Sequence, residues 1–185
     1  MDEFNIAIGA APEQAANEFY RSIGVRASHY QWASISELEQ YISLKQKEFV
    51  CLMKNTQSPI EQMLGTALLG LWLGPCSIYL SVDGHTNGEV ELIPQAKLGD
   101  YRVDFLLKFN GMDSKEKLIV IECDGHEFHE KTKEQAQRDK KRDRQLATFG
   151  CIVLRFTGSE IFRNPSRCAD EVERLMSPIL WAGED

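Results

Sequence analysis

Apolar and polar positions follow two different rhythms along this chain. The clearest helical rhythm spans residues 58–73, where Ile60, Met63, Leu64, Ala67, Leu68, Leu71 and Trp72 form one wide apolar face. Ser58 suits the N-cap, Pro59 the first helical position, and Gly74-Pro75 a stop. Glu61 falls at the third helical position, where it completes a capping box with Ser58. It also borders the buried face, so it could lean into a site under the helix. Upstream, residues 34–49 give an incomplete stripe of Ile35, Leu38, Tyr41, Ile42, Lys45 and Phe49, with Ser34 or Ser36 as cap. A weaker helix is expected over 11–23, and residues 1–12 carry no clear signal. The chain therefore divides into a helical N-terminal elaboration over 1–57 and a core over 58–185.

Downstream the rhythm shortens to that of strands. Residues 77–82 and 89–96 predict two strands around a Gly84–Gly88 turn. Leu98-Gly99-Asp100 then turns the chain into a strand over 101–109, with Asp104 in its middle. Asn110-Gly111 and the polar 112–117 join this strand to Leu118, Ile119, Val120 and Ile121, so the two read as an antiparallel hairpin. That second run has the unbroken apolar character of a strand covered on both faces. A polar helix follows over 132–149 and stops at Gly150. A buried-type strand over 151–156 comes next, and its helical crossover predicts parallel pairing with the central strand. A last helix covers about 169–180. Helices, a β-meander, then helix, strand and helix make an α/β (α+β) fold with a mixed sheet flanked by helices.

Composition bounds the class. Hydrophobic content of 43% and charged content of 26% are ordinary for a globular domain, and no apolar run reaches membrane-spanning length. The start MDEFNIAIG is acidic, unlike a signal peptide. Five scattered cysteines with no Cys-x-x-Cys suggest reduced thiols, hence a cytoplasmic protein without a membrane partner. A net charge of −7 argues against a general nucleic-acid coat protein. It leaves room for a local basic patch, and Lys131, Lys133, Arg138, Lys140, Lys141, Arg142 and Arg144 supply one.

The candidate chemistry lies where the central strand ends, in LIVIECDGHEFH over 118–129. Strand alternation turns Glu122 and Asp124 the same way, and the hairpin lets Asp104 meet Glu122. Carboxylates aimed at one spot repel each other. A divalent cation relieves that repulsion, and oxygen ligands suit Mg²⁺ or Mn²⁺. On the polar helix, Asp139 and Arg142 share the stripe that faces the sheet. They can pair with each other or reach back to the carboxylates. A zinc reading also exists, since Cys123, His126 and His129 have Cys-x₂-His-x₂-His spacing. Alternation points Cys123 away from Glu122, however, and no fourth ligand is evident.

The string QAKLGDYRVDFLL … LIVIECDGHEFH … RDKKRDRQLATFGCIVLRFTGSEIF resembles the PD-(D/E)xK nuclease superfamily, and within it the very-short-patch-repair-like endonuclease branch. The matching features are Gln95, the strand ending in Asp104–Phe105, Glu122–Gly125, His129, the Asp139/Arg142 helix and the strand from Gly150 to Phe156. Glu61 falls where that fold keeps an acidic residue on its first core helix. The superfamily's usual lysine, two residues past the Glu, is Asp124 here. The very-short-patch-repair branch also lacks it and uses a histidine, a place that His129 takes.

The resemblance implies a restriction-endonuclease-like fold and metal-dependent hydrolysis of DNA phosphodiester bonds. It assigns Asp104 and Glu122 to the metal, with the Cys123 backbone carbonyl as a third ligand. Asp124, His129 and Glu61 are the further catalytic candidates. Asp124 could orient His129 or bind a second metal, and Glu61 could reach the metal through water. His126, Lys131, Lys133, Arg138 and Arg142 are the substrate-binding candidates. A homodimer is one way to bring two sites to a duplex. The competing class is a nuclease fold that binds or assembles without cutting.

Overall fold

The computed structural model describes residues 35–71, 78–81, 90–124 and 133–181. The weak helix expected over 11–23 lies outside them.

Helix α1 runs Ile35–Asn55, six residues beyond the predicted end at 49. Its apolar stripe continues through Phe49, Leu52 and Met53, all buried, so packing extends it. Asn55 Nδ2 donates to the Cys51 carbonyl and Thr56 Oγ1 to the Leu52 carbonyl, each at 2.8 Å, which satisfies carbonyls of the last turn. Helix α2 runs Pro59–Leu69 from the expected N-cap at Ser58. It stops short of the predicted 73 because Gly70 ends it, its N–H bonding back to the Thr66 and Ala67 carbonyls at 3.1 Å. Gly65 lets α1, α2 and the sheet meet. A Cβ there would stand 2.8 Å from Leu52 Cδ1 and 3.0 Å from Phe105 Cζ.

The strands are β1 (Ile78–Leu80), β2 (Val90–Pro94), β3 (Lys97–Leu98), β4 (Tyr101–Arg102), β5 (Phe105–Asn110), β6 (Glu116–Asp124) and β7 (Cys151–Thr157). Between β6 and β7 lies α3 (Lys133–Thr148), and α4 (Gly158–Arg163) and α5 (Pro165–Trp181) follow. Five strands form one mixed sheet in the order β1-β2-β5-β6-β7, while β3 and β4 form a small separate hairpin. The β5–β6 hairpin and the parallel β6–β7 pair are as the sequence predicts.

Two strand expectations are corrected. The first concerns β1 and β2, which pair in parallel rather than as a meander. The turn signal at 84–88 lies outside the described residues, and the register of the two strands on either side sets their direction. Helix α1 grips β1 along its backbone instead: Lys45 Nζ donates to the Ile78 carbonyl and Glu48 Oε1 accepts the Leu80 N–H, both at 3.0 Å. Lys45 and Glu48 are themselves paired at 2.7 Å and almost fully buried, so each depends on the other. The second concerns 101–109, which is not one strand. The chain bends at Val103 and Asp104, so Asp104 stands at the break between β4 and β5 rather than in mid-strand.

Helices cover both faces of the sheet. Phe105, Leu107 and Phe109 of β5 and Ile119 and Ile121 of β6 join α1, α2, α4 and α5 in the main core. Leu106 and Val120 face the other way, toward Leu146 of α3 and Val103. Tyr101 OH bonds to Gln145, tying the small hairpin to α3. Sequence rhythm missed α4, whose signal is a second capping box. Thr157 Oγ1 accepts the Glu160 N–H, and the Glu160 carboxylate accepts the Thr157 N–H.

Candidate active site

The site forms where β5 stops pairing with β6. Their register holds from Asn110↔Glu116 to Phe105↔Ile121. Beyond that the chain turns into the β3–β4 hairpin, held by Val103 N–H to the Ala96 carbonyl at 2.9 Å and Gln95 N–H to the Asp104 carbonyl at 2.8 Å. β6 continues to Asp124, so its last residues lose their β5 backbone partner. A carboxylate fills the gap: Asp104 Oδ2 accepts the Cys123 N–H at 2.7 Å. Opposite the bend, where β2 ends, Gln95 has φ of 53°, in the left-handed region that costs a side chain strain.

Alternation along β6 then sorts the side chains. Cys123 falls in line with Ile119 and Ile121 and packs against the main core. Burial pushes its thiol well up, and its place on the core side turns the sulfur away from Glu122. Glu122 and Asp124 take the opposite face, toward α3. Arg142 Nη2 reaches from α3 to Glu122 Oε1 at 2.5 Å and to the Arg102 carbonyl at 2.8 Å. Arg155 of β7, in register with Glu122, stands 3.9 Å from Asp124 and 2.5 Å from Asp143.

Buried charge dominates the electrostatics. Glu122 is 5% exposed, and burial pushes its carboxyl up to about 7; Arg142 opposes the rise and Asp104 adds to it. Burial also raises Asp104, with Glu61 and Asp124 adding to the rise and the Cys123 N–H and Arg142 opposing it. Glu61 is buried at the start of α2. Its Oε2 accepts the Gln57 N–H at 2.9 Å and Gln95 Nε2 at 2.7 Å, while Oε1 accepts Ser58 Oγ at 2.8 Å. The capping box predicted with Ser58 is thus half standard: Ser58 Oγ accepts the Glu61 N–H at 3.2 Å, but the return bond goes to Gln57. The same carboxylate is near enough to Asp104 for its charge to help raise the Asp104 carboxyl.

Asp104, Glu122, Cys123, Asp124, Glu61 and Arg142 are therefore brought together. His126, His129 and Lys131 lie outside the described residues, as do the side chains of Lys133, Arg138 and Asp139. Among the described residues, no three His, Cys, Asp or Glu side chains converge as a metal-holding group. Arg155 is a site neighbour that the sequence reading left without a role. Its signal was there, since it lies within the strand from Gly150 to Phe156 that faces the carboxylates. Gln95 entered only as part of a motif, and its bond to Glu61 needs the bend to be seen.

The REase_MTES_1575 family model, a restriction-endonuclease-like family, matches residues 85–176. The fold is restriction-endonuclease-like. That nuclease fold accounts for the mixed five-stranded sheet, the flanking helices and the acidic end of β6. No curated protein and no solved structure matches the chain. No helix among the described residues is long and apolar enough to cross a membrane. The four described cysteines, 51, 123, 151 and 168, are free thiols.

The donor set suits a hard cation. Asp104 and Glu122 offer carboxylate oxygens, and the raised carboxyls are those that a neighbouring positive charge would bring back down. Mg²⁺ typically takes one or two carboxylates and keeps several waters, so it does not require three converging side chains.

Proposed function

We propose that this protein is a metal-dependent endonuclease of the very-short-patch-repair-like kind, hydrolysing DNA phosphodiester bonds. The observation that carries the reading is the Asp104 carboxylate on the Cys123 N–H, at a strand break one residue from Glu122. Asp104 and Glu122 would hold Mg²⁺ or Mn²⁺. In a strand, the N–H and C=O of one residue point to the same side. Strand geometry thus turns the Cys123 carbonyl toward Asp104 as well, which supports it as the third ligand. The cation would supply Lewis-acid stabilisation of the charge that develops on the phosphate.

The chain's own residues do the rest. His129 takes the attacking water's proton or donates to the leaving oxygen, the two roles that an imidazole can serve. Asp124 orients that histidine. Glu61 sets Gln95 and the bend that presents Asp104. Arg142 holds Glu122 in place until substrate and cation arrive, then is free to hold a phosphate oxygen. His126, Lys131, Lys133 and Arg138 provide further contacts to the strand, and two copies of the chain would cut both strands of a duplex.

A second reading has one observation behind it. Arg142 already neutralises Glu122, and Asp124 stands where the superfamily's lysine would be. A fold that binds nucleic acid without cutting would look the same at these two positions. Supercoiled plasmid and single-stranded DNA with Mg²⁺, Mn²⁺ or EDTA, wild type beside Glu122→Ala, separates the two. Metal-dependent cutting that the variant loses is the expected result. No cutting by either protein with any metal would end the nuclease reading.

A further inference from the structure

A cleft of about 400 Å³ opens between the end of α1, the turn into α2 and the end of β2. Among the described residues Lys54 and Arg102 line it, and no carboxylate does. In a chain of 28 acids and 21 bases, that local excess of positive charge favours an anionic ligand. The carbonyls at the C-terminal end of α1 would oppose an anion. Asn55 and Thr56 cover two of them, at Cys51 and Leu52.

The cleft shares a wall with the carboxylate site. With the Gln57 amide oxygen turned to Arg102, it accepts the guanidinium at 2.7 and 3.1 Å. The Gln57 N–H and the Gln95 amide are both bound to Glu61. The Arg102 carbonyl accepts from the same Arg142 guanidinium that holds Glu122. Ser81 lines the cleft at 1% exposure, and its Oγ has no hydrogen-bond partner among the described residues. A buried hydroxyl left unpaired costs about 1–3 kcal/mol, so a group accepting from it would be favoured.

We infer that this cleft binds a backbone phosphate of the nucleic-acid strand beside the bond cut at the carboxylates, with Lys54 and Arg102 as its cationic contacts. The inference rests on the nuclease reading for the identity of the anion, and it deepens that reading by fixing where the strand runs. The path passes from the acidic end of β6 across Arg102 toward the end of α1.

The test is fluorescence anisotropy of a short labelled DNA duplex and of its single strand, in EDTA so that nothing is cut, across about 50–200 mM KCl. Each lost phosphate contact flattens the slope of log K against log salt by about 0.9 for duplex and about 0.7 for single strand. Lys54→Gln and Arg102→Gln should each weaken binding several-fold with that change in slope. Lys54→Arg should keep the wild-type slope. Lys108→Gln, at an exposed pair with Glu116, serves as the control and should not change it. Unchanged affinity and slope in both cleft variants, while wild type cuts plasmid, would overturn the cleft and leave the nuclease reading standing. Flattened slopes in a protein that never cuts would support the cleft and overturn cleavage alone. No binding of either DNA by wild type at the lowest salt would overturn the cleft outright.

Discussion

Replacing Glu122 by glutamine should stabilise the cation-free protein at neutral pH, and progressively less as pH falls. Glu122 is 5% exposed and its carboxyl sits at about 7 against an ordinary 4.5, chiefly because burial penalises its charge. A folded-state value above the unfolded one means that the folded chain holds the proton more tightly. The group therefore favours folding fully below about pH 4.5, and that contribution is lost as pH rises through 7. The interval from 4.5 to about 7 corresponds to about 3.4 kcal/mol as an upper bound. Water at the mouth of the site, together with relaxation of the pair with Arg142, brings the expected figure to about 1–3 kcal/mol. Glutamine keeps an oxygen for Arg142 and loses the ionisation. Asp104, also raised by burial, is present in both proteins and largely cancels in their difference. The assay is urea unfolding in EDTA at about pH 5, 6, 7 and 8, read as the gap between variant and wild type. The variant should gain on wild type across that range. A gap that stays flat, or that closes as pH rises, would refute the claim that a buried, ionising Glu122 sets the cost. Added Mg²⁺ should then stabilise wild type more than the variant, since only wild type offers the second carboxylate.

Asp104→Asn keeps an oxygen for the Cys123 N–H, so it should fold normally yet lose at least about 100-fold in cleavage, several kcal/mol of transition-state stabilisation being at stake. Wild-type rates in that variant would remove Asp104 from the site. Gly65→Ala should cost about 1–3 kcal/mol, read as a lower urea midpoint at unchanged m, because its Cβ meets Leu52 and Phe105. An unchanged midpoint would mean that α1 does not pack as described. Lys45→Met leaves Glu48 buried without its partner and should cost about 3–5 kcal/mol by the same unfolding assay. A cost below about 1 kcal/mol would show that the pair adds nothing to the hold on β1.

The sequence was most legible where one face of an element is apolar throughout. The α2 stripe, the β5–β6 hairpin and the parallel β6–β7 crossover could all be read from residue spacing alone. The misreadings fall where tertiary contacts decide. Sequence neighbours suggested that β1 and β2 reverse on each other, but Lys45 and Glu48, more than thirty residues earlier, hold β1 by its backbone. Gly70 was passed over as a stop because Leu71 and Trp72 continue the apolar period beyond it. The site was legible as chemistry sooner than as geometry. Residue type and spacing pick out Asp104 and Glu122, while Glu61 reads first as a capping residue and joins the site through the resemblance. Their grouping depends on a bend that no periodicity encodes, since Tyr101–Arg102 and Phe105–Asn110 alternate well enough to pass for one strand.

That bend explains why the carboxylates lie where they do. Were β5 to continue through Val103, the backbone would be free to take up the Cys123 N–H, and a half-buried aspartate beside it would lose that donor. Because the chain turns away at Asp104, the end of β6 has an open edge toward β5, and an open buried N–H needs an acceptor. Asp104 supplies it, and in doing so is fixed next to Glu122 at a cost visible in the raised values of both carboxyls. Three tethers keep the arrangement from relaxing. Gln95 holds the Asp104 carbonyl, its side chain holds Glu61, and Arg142 spans Glu122 and the Arg102 carbonyl. A cluster built only for stability gains little from a buried glutamate beside a half-buried aspartate, since replacing such groups by apolar side chains is usually neutral or favourable. Charge kept at that expense, beside a strained Gln95, fits the proposed preorganised site for a cation and a phosphate.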